Sequence, residues 1–269
     1  MEILTSPNNK KIKEAALLLR KASRRKELGL FPVEGVKMFL EAPADRIREV
    51  YAEVSLLQTA GGPLAEKLKA CRACPVSPEV FRKLSDTQTP QGVLALVETG
   101  RPRSVEQLLG RTRRFLLLEH LQDPGNLGTI LRSAEGAGFA VIADQETADV
   151  TSPKVVRSTM GAIFRVPYTT VPDLKEAVLP LKAAGIPVCA AHLQGSISYE
   201  EAPLAGPAAI MIGNESAGLR DETAALADLR IRIPMLGSVE SLNAAVAASI
   251  LMYEAARQRR AAGEGADHG

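Results

Sequence analysis

The sequence predicts an α/β protein in two parts. Short apolar segments alternate with helix-like stretches along most of the chain, as a sheet flanked by helices requires. Aromatic residues make up only 4% of the 269 residues and there is no Trp. The core must then come from Ala, Leu, Val and Ile, which suits helices packed on a sheet. A polar, basic stretch broken by Gly and Pro, "TGRPRSVEQLLGRTRR", interrupts the alternation. It divides the chain into a small α/β domain at 1–99, a linker at 100–113 and a larger α/β domain at 114–260. The tail at 261–269, "AAGEGADHG", is expected to be disordered.

The first element is "SPNNKKIKEAALLLRKASRRKELG", which reads as one amphipathic helix. Ser6 can cap it, Pro7 suits its first turn, and Gly29 can end it. Ile12, Ala15, Ala16, Leu19 and Ala22 follow the spacing of a buried stripe. Lys13, Arg20 and Arg24, flanked by Lys10 and Lys21, share another face, and these with Arg25 are the candidate contacts to a phosphate backbone. Residues 1–26 hold eight basic residues against two acidic ones, a net of +6, while the whole chain carries only +2. This asymmetry points to an anionic partner for the N-terminal part. Taken alone, the basic face fits a solvated surface helix as well as a phosphate-backbone footprint.

The rest of the first domain follows in short segments. "LFPVEG", "IREVYAEVS" and "QGVLALVE" are strands, and the stretch from Val36 to Ala42, "PLAEKLKACRAC" and "SPEVFRKLSD" are helices. In the second domain "RFLLLEH", "FAVIAD", "FRVPYT", "IPVCAAH", "AAIMIG" and "LRIRIPM" are strands, mostly separated by helices, as a buried parallel sheet requires. "SLNAAVAASILMYEAARQRR" is a final Ala-rich helix.

Composition excludes several classes. Three cysteines cannot build a disulfide framework. Cys71 and Cys74 form a lone C-x-x-C, but only three histidines exist and none is close in sequence, so two reduced thiols near a helix end are expected and no metal. The stretch "MEILTSPNNKK" has no apolar core of the secretory kind. No apolar run reaches the ~20 residues of a membrane helix, so the expected location is cytoplasmic.

Three stretches carry the chemistry. In "HLQDPGNLGTILRSAEGAGFA" the glycines fit neither G-x-G-x-x-G nor the P-loop pattern, which argues against a dinucleotide or ATP site. Gly136 and Gly138 are expected to end a helix. Pro124, Gly125, Asn126 and Gly128 are expected to form a turn at the C-terminal end of a strand, where open α/β sheets bind ligands. Arg132, on the first turns of the next helix, can make a bidentate phosphate contact. In "AAIMIGNESAGL" a strand runs into Gly213, whose bare backbone admits a ligand closely, and into Glu215, which needs a partner if buried. In "RIPMLGSVESLNAAVAASILMYE" a helix opens at Ser241-Leu242-Asn243, where free N–H groups favour anions. Singly, the second and third stretches also fit an ordinary turn with a solvated Glu and a Ser-capped helix.

Their order is more specific. "NLGTILR", "IGNESAGL" and "IPMLGSVESLNAAVA" together resemble the three motifs of the SpoU (TrmH-type) RNA 2′-O-ribose methyltransferases of the SPOUT superfamily, from about Phe115 to Tyr253. The N-terminal part is similar to the small ribosomal-protein-like substrate-binding domain of many members. The resemblance implies a deep trefoil knot, which strand patterning would never suggest. It implies S-adenosylmethionine bound at Gly213, Ile233 and Leu242, with Ala191 and His192 as weaker candidates. It implies a homodimer through the last helix, whose face of Ala244, Ala247, Ala248 and Leu251 suits close packing. It assigns catalysis to Arg132, Asn126, Glu215, Ser241 and Asn243. Ser216 stands where members often carry Gly. The reaction implied is methylation of a ribose 2′-hydroxyl in structured RNA, ribosomal RNA before transfer RNA. Two other classes remain to compare: a non-catalytic RNA-binding protein on the same fold, against which Arg132, Glu215 and Asn243 argue, and an oxidoreductase, against which the missing G-x-G-x-x-G argues.

Overall fold

The computed structural model describes residues 3–194 and 196–263. In chain order its helices are α1 (Lys10–Arg20), α2 (Ala22–Leu28), α3 (Val36–Glu41), α4 (Val54–Thr59), α5 (Gly62–Ala70), α6 (Pro78–Lys83), α7 (Val105–Leu109), α8 (Pro124–Ala137), α9 (Pro153–Ser158), α10 (Lys175–Ala183), α11 (Asp221–Ala224) and α12 (Ala244–Ala261). The strands are β1 (Leu30–Glu34), β2 (Ile47–Glu53), β3 (Cys74–Val76), β4 (Val93–Glu98), β5 (Arg114–Leu118), β6 (Ala140–Asp144), β7 (Tyr168–Val171), β8 (Val188–Ala191), β9 (Ile197–Ser198), β10 (Ala208–Ile212) and β11 (Leu229–Arg232). Two compact units form: Met1–Arg101 with Asp149–Phe164, and Pro102–Ala148 with Arg165–Gly269.

The first unit is built on a mixed sheet in the order β1-β4-β2-β3. Alternate residues of β4 enter opposite cores. Leu94 and Leu96 meet Ile12, Ala15, Leu18 and Leu19 of α1 on one face. Val93, Ala95 and Val97 meet Phe31, Phe39 and Val156 on the other. Cys71 packs against the second of these cores and Cys74 against the first, so the two thiols serve opposite faces of the sheet. Burial raises both thiol pKa values, which fits inert packing residues.

The expected single N-terminal helix is two. Lys21 adopts an extended conformation (φ −120°, ψ 111°) and breaks it. Asn9, not Ser6, caps α1, its side chain accepting from Lys11 N at 2.9 Å, while Ser6 Oγ accepts from Asn8 N. Within α1 the buried stripe is Ile12, Ala15, Leu18 and Leu19, and beyond the break Ala22 is exposed, so the stripe differs from the expected one. Gly29 does end α2, in the left-handed region at φ 62°.

The second unit holds a seven-stranded sheet in the order β7-β6-β5-β10-β8-β11-β9, with every pairing parallel. The chain runs outward from β5 through β6 to β7 and then returns to the other side of β5. The order reverses there, between β5 and β10, as at a ligand-binding switch point. Leu118 is paired with Ile212, and Ile231 with Ala191, so the C-terminal ends of β5, β10, β8 and β11 lie in a row. No helix of the described residues is long and apolar enough to cross a membrane. Of the expected disordered tail, Ala261 is helical and 264–269 lie outside the described residues.

The Pro124–Gly128 stretch is the opening of α8, not a turn. Asp123 Oδ1 accepts from Asn126 N at 2.7 Å and Pro124 presets the first turn, so the helix starts at once. Arg132 therefore falls in the middle of α8. Gly138 ends the helix at φ 74°, but Gly136 is within it. A Cβ on Gly136 would lie 2.8 Å from Tyr253 Oη, so glycine here allows a close approach of α12.

Candidate active site

Three side chains far apart in sequence converge at the β5/β10 end. Asn126 Nδ2 donates to Glu215 Oε1 at 2.8 Å. Asn243 Nδ2 donates to Asn126 Oδ1 at 3.0 Å. Asn243 Oδ1 caps α12, accepting from Ala245 N and Val246 N. The orientations are forced in sequence. The helix N-terminus takes the oxygen of Asn243, which leaves its NH₂ for Asn126. Asn126 must then offer NH₂ to the carboxylate, which can only accept. Asn126 and Glu215 are half-buried and Asn243 is exposed.

The loop carrying Glu215 is closed on itself. Asn214 and Gly218 exchange both backbone hydrogen bonds, at 3.0 and 2.9 Å. Asn214 Oδ1 accepts from Ser216 N and Ala217 N, and its Nδ2 donates to His120 O at 2.9 Å. Ser216 is exposed, so its hydroxymethyl group is accommodated. Gly213 is buried, and a Cβ there would lie 2.1 Å from the Gly218 carbonyl carbon. The loop can close only over glycine.

The other expected site residues line the same row of strand ends. Ala191 ends β8, and His192 N donates to Ile231 O at 2.9 Å. His192 Nδ1 accepts from Gln194 N. Ile233 follows β11 and is half-buried, as is Leu242, while Ser241 is exposed and makes no hydrogen bond within the described residues. Asn243, not Ser241, caps the helix. Arg132 is exposed on α8 and joins none of the three side chains. The space beside Gly213 is taken by the Gly218 backbone, so its glycine serves loop closure instead of the expected ligand approach. The half-buried apolar side chains of Ile233 and Leu242 suit a flat heteroaromatic ring, so these residues fit S-adenosylmethionine. Among the described residues no group of His, Cys, Asp or Glu is placed to hold a metal.

Chain-wide comparison fits this geometry. Residues 113–253 match the SpoU rRNA methylase family, and residues 9–95 match the MRM3-like substrate-binding domain. The chain belongs to the SpoU rRNA methylase family. It is 33% identical to the 23S rRNA (guanosine(2553)-2'-O)-methyltransferase RlmP of Bacillus subtilis, over 94% of this chain and 98% of that one. It is 35% identical to a 23S rRNA (uridine(2479)-2'-O)-methyltransferase of Streptomyces viridochromogenes, over 68% of this chain and 67% of that one. The crystal structure of the SpoU methyltransferase AviRb from Streptomyces viridochromogenes in complex with the cofactor AdoMet superposes with a TM-score of 0.83, at 30% identity, over 94% of this chain and 99% of that one.

Two SpoU-domain residues escaped the sequence reading. Asn214 sat unremarked inside "IGNESAGL", although an Asn at a strand end is a common loop-former. Glu119 is buried to 1% at the end of β5. Its signal was a carboxylate closing an apolar strand, where burial demands a partner. That partner is Arg220, which donates to it from N at 2.8 Å and Nε at 2.9 Å.

The N-terminal basic residues separate into three kinds. Lys10, Lys13, Arg20 and Lys21 are exposed. Arg24 is half-buried and paired with Glu14 and Glu27, both at 2.7 Å. Arg25 is buried to 4% and is not a surface cation. Its guanidinium donates to Leu18 O at 2.7 Å, Asp149 Oδ2 at 2.5 Å and Thr151 Oγ1 at 3.1 Å. The helix break at Lys21 turns it inward, so the expectation that it binds RNA is corrected.

Proposed function

We propose that this protein methylates a ribose 2′-hydroxyl of ribosomal RNA, with S-adenosylmethionine as donor. The observation that carries this is the Asn243–Asn126–Glu215 chain, which joins all three family motifs at one sheet edge. Ribosomal RNA is favoured over transfer RNA because the relative from Bacillus subtilis, which matches 94% of this chain, and the one from Streptomyces viridochromogenes are both named for 23S rRNA.

When bound, S-adenosylmethionine supplies an activated methyl group and a neutral thioether as leaving group. Methyl transfer would form the O–CH₃ bond as the S–CH₃ bond breaks, and the 2′-hydroxyl proton would pass to solvent water. The residues must align hydroxyl and methyl and stabilise the developing alkoxide. Arg132 is a poor base, since a guanidinium keeps its proton in proteins. It clamps the phosphate beside the target ribose and stabilises the alkoxide. Asn126 spends Glu215 Oε1 and leaves Oε2 to accept from a substrate donor. Ser241 offers its hydroxyl at the mouth of the site. Gly213, Ile233, Leu242, Ala191 and His192 wall the cofactor.

The test is incubation with labelled S-adenosylmethionine and ribosomal RNA. Label in alkali-resistant dinucleotides is expected, because a 2′-O-methyl group blocks alkaline cleavage. No label, with no cofactor binding by calorimetry, would sink the reading.

The protein also acts as a homodimer in this proposal, through a different face of α12 from the one expected. Ala244, Ala248 and Leu251 are buried within the chain itself. Val246 and Tyr253 are 47% and 50% exposed and stand about two turns apart, and they offer the apolar stripe for a second copy. Tyr253→Glu should sediment as a monomer; a variant that stays dimeric removes this face.

A further inference from the structure

The β5 end and the Glu215 loop are joined by a second set of contacts that no role so far explains. Glu119 Oε2 accepts from Arg220 N at 2.8 Å, and Oε1 accepts from Arg220 Nε at 2.9 Å and from Thr223 Oγ1. Thr223 is itself 3% exposed. The Glu119 backbone N–H donates to Ile212 O at 2.9 Å, the residue just before Gly213. Both ends of the loop therefore fasten to one dipeptide, Glu119-His120: the entry through Asn214 Nδ2 to His120 O, the exit through Arg220 to the Glu119 carboxylate. Around Arg220, Glu146, Asp173 and Glu222 stand at 3.9 to 4.0 Å and hold the guanidinium on its rim side.

The two fastenings do different things. Asn214 closes the loop on itself, so its shape does not depend on Glu119. Glu119 sets where the closed loop stands against β5, and thus where Gly213 stands, whereas Glu215 is held separately by Asn126. A carboxylate suits this task because three donors converge on it, and an acceptor-only group satisfies them all in a water-poor setting.

We propose that Glu119 is a positioning residue: through Arg220 and Thr223 it holds the Gly213–Gly218 loop in the register that binds S-adenosylmethionine. This rests on the methyltransferase reading above. Glu119 touches neither substrate nor cofactor, so its loss acts on cofactor affinity and spares the chemical step.

Glu119→Gln tests it. The amide keeps one acceptor but turns an NH₂ toward Arg220 N–H, setting donor against donor and displacing the loop exit. The KM and calorimetric Kd for S-adenosylmethionine should rise roughly tenfold, the effect of leaving a buried donor unpaired. The kcat at saturating cofactor should change less than about threefold, and the KM for RNA should not move. Glu119→Asp keeps both acceptor oxygens and should recover most of the affinity. A variant with lowered melting temperature but unchanged cofactor Kd, or one that loses kcat at unchanged KM, overturns the proposal. Should Glu119→Gln fail to fold, Thr223→Val removes one donor without stranding a charge, and the same split decides: roughly threefold in KM supports, no change refutes. A wild type that binds no S-adenosylmethionine refutes the function itself, whereas a wild type that binds and a Glu119→Gln variant that binds equally refute this proposal alone.

Discussion

Arg132 and Asn126 sit six residues apart on one helix, and at ~100° per residue that places them about 120° apart around its axis. Asn126 turns to the Glu215 loop, while Arg132 is exposed and makes no hydrogen bond or ion pair among the described residues. An unpaired arginine near a polar cluster is suited to an incoming anion, and its planar fork matches a phosphate with two parallel hydrogen bonds. Lysine keeps the charge but loses the fork. Arg132→Lys should therefore lower kcat roughly a hundredfold, as removal of an oxyanion donor does, with little change in cofactor Kd. Near-normal turnover would remove the bidentate role. At this scale the sequence showed residue types better than partners. Asn126, Glu215 and Asn243 were legible because a motif order named them. Glu119 was not, because its importance lies in three donors brought to it from a loop about a hundred residues on.

The elements were legible where their periodicity was strong and misread where a single capping group decided. The strands β5, β6, β8 and β10 were evident as apolar runs, and α12 as an Ala-rich stretch. The start of α8 was misread because Asp123 and Pro124 look like turn residues until the Asp123 side chain is seen to accept from Asn126 N. Strand β3 is too short to show between two helix-like stretches, with only Cys74 inside the first of them, and the break between α1 and α2 leaves no Gly or Pro as a marker. That break has an energetic consequence. It brings Arg25 under α1, where it caps Leu18 O and pairs with Asp149. Burial pushes the Asp149 carboxyl up, but hydrogen bonds from Thr151 and Arg25 outweigh it and hold the pKa below its usual value. A depressed carboxylate contributes stability above its unfolded pKa, near 3.9, and loses it as pH falls through the folded value. Arg25→Ala should cost about 2 kcal/mol at pH 7, less than the ~3–5 of a fully buried pair because Asp149 is a third exposed. Urea midpoints of wild type and variant should then converge below about pH 4. A gap that stays constant from pH 7 to pH 3 would show that the loss is packing and not charge.

At the scale of the whole molecule, the polar break near residue 100 lies where the chain passes from one unit to the other, at Arg101 and Pro102, but the strand order has no such local mark. Where β10 lies depends on which apolar faces close the sheet, and no local pattern encodes that. Nor did the sequence show that residues 149–164, between β6 and β7, join the first unit through Val156 and the Arg25–Asp149 pair. The first unit matches a substrate-binding domain and carries the +6 segment, and we propose its exposed cations as the RNA contacts. Each phosphate neutralised releases condensed counterions, and log K falls with log salt by about 0.7 to 0.9 per contact. Lys13→Ala and Arg20→Ala should each flatten the salt slope of RNA binding by that amount. Arg24→Ala should flatten it less, because Glu14 and Glu27 already match its charge. Arg25→Ala should leave the slope as it is while lowering stability, since its guanidinium faces the interior. If all four variants kept the wild-type slope, the basic face would be a solvated surface, and the footprint would have to lie elsewhere on the chain.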